Sequence, residues 1–173
     1  LQAAVFEIVT TEVEGIAVPP WVFEAFGLPA ETRNFRYAAM KYPGDAWQND
    51  HWRPGASVPD MSQTETRLWF YYLAARYIDA GIEAVHFGQV EIMDDRDSDH
   101  VYWREMLEKV RAYANIHARR HLLLCDAHVP SGGIVHDGKL MFDFHSFPLR
   151  IEEVVDKPQQ GVLQVGYLDS IFT

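Results

Sequence analysis

Apolar positions in this chain follow two rhythms, continuous short runs and a helical stripe. Runs at 1–9, 84–92, 122–126, 140–145 and 162–167 are five to nine residues long and read as strands with both faces covered. Between them lie two longer segments with three- and four-residue spacing. The first opens at Ser62-Gln63-Thr64-Glu65, a capping-box pattern, and runs to about Ala80. Leu68, Trp69, Tyr72, Leu73 and Tyr77 face its core side, and Gly81 stops it. The second is capped by Ser98 and runs to about Arg119, with Trp103, Leu107, Val110, Ala114 and His117 as its stripe. Residues 11–62 keep no sustained period. Pro20 and Gly27 bracket a short helix over 21–26, a second helix is expected over about 30–40, and the rest reads as loop.

The order is strand, long insertion, helix, strand, helix, strand, then further strands joined by the turn signals Ser131-Gly132-Gly133 and Asp137-Gly138. Strand–helix alternation predicts an α/β domain with a parallel sheet. An open doubly wound sheet and a section of a (β/α)8 barrel both fit. The barrel section is preferred, because polar groups close nearly every strand and the long insertion follows a strand, which gathers complexity on one rim. The expectation is a single α/β domain over 1–173, a partial TIM-like barrel whose residues 11–62 form a loop and short-helix lid. The chain opens and closes inside apolar runs, which reads as a fragment of a longer barrel, completed by further segments or by self-association.

Composition narrows the function classes. There are 15 Lys plus Arg against 25 Asp plus Glu, a net charge of -10, which argues against a nucleic-acid surface. No apolar segment has the length of a membrane span. A single cysteine, Cys125, rules out a disulfide framework and a zinc–thiolate site within one copy. Phosphate-binding glycine loops and the G-x-S-x-G elbow are absent.

The candidate chemistry lies where the apolar runs end. Buried strands do not carry ionisable groups unless these are paired or working. Glu7, Gln89 with Glu91, Asp126 with His128, and Asp143 with His145 all stand at such ends. Residues two apart on a strand share a face, so each pair points one way. Glu7 and Glu91 lie on consecutive strands. As neighbours about 4.8 Å apart they would split into a proton donor and an anion. Glycoside hydrolysis requires that division of labour. Trp47, His51 and Trp52 in the insertion suit a cover over a sugar. The doubled Asp-x-His pattern offers an alternative, a divalent-metal hydrolase. His86, opposite Glu91 in strand parity, is expected under the outer helices, and Cys125 on the face opposite Asp126.

Phe6-Glu7 and Gln89-x-Glu91, with Trp47 and Trp52 in a rim insertion, resemble a (β/α)8-barrel glycoside hydrolase, and more broadly bacterial barrel proteins of no assigned activity. The resemblance implies Glu7 and Glu91 as the catalytic carboxylates, with Trp47 and Trp52 as rim aromatics that stack on sugars. On the reading of the residues themselves, Gln89, Asp126, His128, Asp143 and His145 position the substrate or tune the pair, Trp47, His51 and Trp52 cover the cleft, and no cofactor is expected. The Asn-Glu pair of many such enzymes is absent before Glu7. A non-catalytic carbohydrate-binding fragment is the remaining alternative.

Overall fold

The computed structural model describes residues 1–129, 133–145 and 149–165. In chain order the elements are β1 (Gln2–Ala4), β2 (Val9–Thr10), α1 (Pro20–Ala25), β3 (Ala56–Ser57), α2 (Thr64–Asp79), β4 (Ala84–Gln89) and α3 (Val101–His117). There follow β5 (Leu124–His128), β6 (Val135–His136), β7 (Lys139–Leu140), β8 (Phe144–His145), β9 (Leu149–Glu153) and β10 (Gly161–Val165).

The sheet that organises the molecule is parallel, in the order β1-β4-β5-β8. Its alternation decides which side is greasy. Val85, Phe87, Cys125 and Ala127 are buried on one face. There they meet α2 and α3 through an aromatic knot in which Trp103 lies 5.8 Å from Phe70 and 5.9 Å from both Phe87 and Phe142. The other face carries Gln2, His86 and Asp126, with Leu124 and Phe144 partly open to solvent.

This arrangement corrects the barrel expectation. Among the described residues the sheet stays open, with β1 and β8 as its edges, and only three α-helices accompany it. Polar strand ends gather on the carboxyl edge of any parallel sheet, so they do not discriminate an open sheet from a closed one. The link from β5 to β8 carries the β6–β7 hairpin, with Asp137 and Gly138 both at positive φ in its turn.

Residues 11–62 are built into the core. β2 pairs with β3, and Val13, Val18, Phe23, Phe35, Met40 and Val58 are buried. The helix expected over 30–40 does not form. Ala17 bridges Asn34, and only Tyr37–Met40 coil, as a 3-10 turn. The cause is Glu65. Its carboxylate accepts two bonds from the Arg33 guanidinium, at 2.6 and 2.8 Å, and one from the backbone N–H of Arg36 at 2.9 Å. That grip holds the segment extended. It also takes Glu65 away from the capping box, so α2 starts after Gln63 without a side-chain cap, and Asp60 holds only the preceding turn, accepting from Ser62 N at 2.8 Å. At α3 the cap is Asp97, not Ser98. Its two oxygens accept from Val101 N and Tyr102 N at 2.8 and 2.7 Å. His117 leaves the expected stripe and stacks, exposed, on Tyr113 at 4.0 Å.

Candidate functional site

Glu7 stands three residues beyond β1, where pairing with β4 continues through Val5 N to His86 O at 2.8 Å. Its carboxylate lies over Gly88 and is 9 % exposed. Gln89 supplies both partners, the backbone N–H to Oε2 at 3.0 Å and the side-chain amide to Oε1 at 2.8 Å. Gly88 makes this approach feasible. It sits at φ +63, and a β-carbon there would fall 2.0 Å from Glu7 Oε2. Only glycine fits a left-handed residue with a side chain pressed on it.

Gly88 also breaks the parity of β4. The register with β5 shifts between His86 and Gln89. His86 therefore does not pack under the helices as expected. It lies on the opposite face, where its Nδ1 is 3.1 Å from Asp126 Oδ1. The same oxygen accepts from the Gln2 amide at 2.8 Å, and Asp126 is fully buried. Phe6 meets the His86 ring edge-on at 5.9 Å. A carboxylate at Nδ1 fixes the imidazole's orientation and tautomer. His128, also buried, pairs in register with Gln89. Thus Glu7, Gln89, His86, Asp126 and His128, drawn from three strands, share the carboxyl half of the sheet.

The insertion adds an aromatic ridge beside them. Trp47 and Trp52 are 54 % and 43 % exposed. Each meets His51 edge-to-face, at 5.1 and 4.6 Å. The Trp52 indole N–H reaches the backbone carbonyl of Glu7 at 3.4 Å, tying the ridge to the carboxylate's own residue.

Other expected members stand elsewhere. β4 ends at Gln89, and Glu91 begins a 3-10 turn, so the two do not share a strand face. Glu91 lines a hollow of about 540 Å³ with Ser98, His100, Arg104 and His136. Beside that hollow, burial pushes the Asp94 carboxyl up to about 6, against a lowering by its hydrogen-bonded partner His100. Asp143 turns away from Asp126. Its carboxylate accepts from Cys125 N at 2.7 Å and from Arg111 at 3.3 Å. The side chain of His145 lies outside the described residues. The two Asp-x-His pairs therefore do not face one another through their aspartates. Among the described residues no three His, Cys, Asp or Glu side chains gather as a metal site would require.

Cys125 is buried, and desolvation pushes its thiol up to about 12, which leaves it a packing residue. Gln2 and Gly88 escaped sequence reasoning, and His86 was assigned to the wrong face. A lone glycine inside a strand pattern is the available signal, because it marks a bulge or a close approach. No helix of the described residues is long and apolar enough to cross a membrane. Comparison with family models, curated proteins and solved structures finds no match to this chain.

Proposed function

We propose that the carboxyl edge of this sheet binds a carbohydrate and hydrolyses it in the manner of a glycoside hydrolase. The observation that carries the reading is the junction of two unlike parts. A partly exposed indole, Trp52, is hydrogen-bonded to the residue whose carboxylate is held by two N–H donors from Gln89. Flat aromatic faces beside an oriented carboxylate suit a sugar, whose C–H face stacks on the ring while its hydroxyls find the acceptor.

In this reading Glu7 is the carboxylate that meets positive charge developing at the anomeric carbon. Its oxygens are oriented before substrate arrives, which is where electrostatic catalysis gains most. Glu91, which lines the neighbouring hollow two residues beyond Gln89, is the carboxylate assigned to supply the proton to the departing oxygen. The buried Asp126–His86 pair, with His128, positions hydroxyl groups from the sheet face, and Trp47 and His51 extend the stacking surface. Asp143 is left outside, since it serves β5 and Arg111.

The test is release of reducing sugar from a glycan panel by wild type, Glu7→Gln, Glu91→Gln and Trp52→Ala. Loss of a carboxylate that takes part in the chemistry lowers kcat by about 10²-fold or more. Trp52→Ala raises KM at unchanged kcat. Equal turnover in wild type and Glu7→Gln removes Glu7 from the reaction. Binding to the panel with no turnover converts the reading to a carbohydrate-binding module.

A further inference from the structure

A second feature of this acidic molecule runs against its overall charge. α3 presents Arg104, Glu108 and Arg111 along one face, at spacings of four and three. The β6–β7 hairpin brings His136 and Lys139 against that face, and together they line a hollow of about 210 Å³. Arg104 and His136 also line the larger hollow that holds Glu91, so they form the wall between the two.

Most cations of the described residues are spent on acids. Arg33 meets Glu65, Arg67 meets Glu105, and Arg96 meets Asp60. Arg104 and Lys139 stand in no such pair. Among the described residues Arg104 has its Nη1 against His136 Nε2, and its Nε is buried with no hydrogen-bond partner. A buried guanidinium N–H without an acceptor is costly and rare in a folded protein, and it marks Arg104 as a guanidinium whose hydrogen-bonding capacity the described residues do not fill. His136 Nε2 also lies 3.2 Å from Asp137 Oδ2. One nitrogen cannot accept from Arg104 and donate to Asp137 together. An anion that takes over Arg104 leaves His136 free to serve the aspartate. Of the acids near this place, Glu108 lines the hollow, Asp143 lies behind Arg111 at 3.3 Å, Asp137 is at the exposed turn, and Glu91 and Asp99 line the adjoining hollow.

We propose that the cleft between α3 and the β6–β7 hairpin is an oxyanion site. Arg104 and Lys139 bind a carboxylate or phosphate group directly, and Arg111 adds positive charge. The rest of the ligand occupies the adjoining hollow beside Glu91. That this remainder is a sugar rests on the reading above, which makes the substrate an acidic sugar; the oxyanion site itself does not rest on it.

The test is calorimetric titration of the full chain with glucuronate, glucose 6-phosphate, glucose and inorganic phosphate. Wild type is compared with Arg104→Gln and with Lys139→Ala, the latter an exposed position that leaves the fold intact. The anionic probes bind and glucose does not. Arg104→Gln weakens them about tenfold or more, as loss of a charged hydrogen bond does, and Lys139→Ala weakens them severalfold. Binding weakens as salt rises. Preference for glucuronate or for glucose 6-phosphate tells which oxyanion is natural. Phosphate binding without any sugar binding keeps the oxyanion site and ends the carbohydrate reading. Glucose binding as well as glucuronate overturns the oxyanion site and keeps the carbohydrate reading. Anion binding equal in wild type and both variants, or absent altogether, overturns the proposal.

Discussion

Replacing Gly88 with alanine tests whether the carboxylate of Glu7 is truly seated on the backbone of β4. Two costs arise. A non-glycine residue at φ +63 pays about 1–2 kcal/mol for the left-handed conformation. The new methyl would lie 2.0 Å from Glu7 Oε2, whereas carbon and oxygen ordinarily approach to about 3.3 Å. The carboxylate must retreat by more than about 1 Å, which breaks at least one of its bonds to Gln89, each worth about 1.5–3 kcal/mol for a charged acceptor. The sum is about 3–5 kcal/mol, or roughly 10 °C in Tm for a chain of 173 residues. The assay is a double-mutant cycle by urea denaturation with Glu7→Ala as the second change. Without the carboxylate, Gly88→Ala retains its backbone cost of about 1–2 kcal/mol and a tight 3.1 Å approach to Glu7 N, which leaves a coupling of about 2 kcal/mol. Additivity of the two substitutions within about 0.5 kcal/mol would refute the contact.

Two further predictions concern charge. Glu65→Ala removes three hydrogen bonds, leaves the Arg33 guanidinium with Glu31 as its carboxylate partner and frees the 31–36 segment, costing about 3 kcal/mol in thermal unfolding, and a loss below about 1 kcal/mol refutes the anchoring role. Asp94 binds its proton more tightly folded than unfolded, its carboxyl standing at about 6 against an ordinary value near 4. Its contribution to stability is therefore full below about pH 4 and is lost as pH rises toward 6. Asp94→Asn abolishes that decline, so wild type loses stability relative to the variant between about pH 4 and 7; parallel urea midpoints across that range refute the assignment.

The sequence made some of this legible and hid the rest for identifiable reasons. The helices α2 and α3 and the strands β4 and β5 were readable, because each buries a continuous apolar face whose period survives in the sequence. Glu7, Gln89, Asp126 and His128 were readable as members of one carboxyl edge, because buried polar groups at strand ends stand out. His86 was misplaced because parity counted along an unbroken strand fails at the Gly88 bulge. The 30–40 helix was expected from local composition, and one distant carboxylate, Glu65, overrode it. Asp143 shared a motif with Asp126 yet turned to Arg111 and the backbone of β5. Barrel closure was expected from strand-end chemistry, which is the same in open and closed sheets.

Local pattern alone determined the two long helices, the strands β4 and β5 and which side chains are too polar to be buried idly. Those properties depend on neighbours three or four residues away or fewer. Tertiary structure alone decided that the sheet stays open among the described residues and that Gln89 holds Glu7 across 82 positions of chain. It also paired His86 with Asp126 and, among the described residues, left Arg104 without an acid. Pairing between distant segments is fixed by register and packing, which no short window of sequence contains.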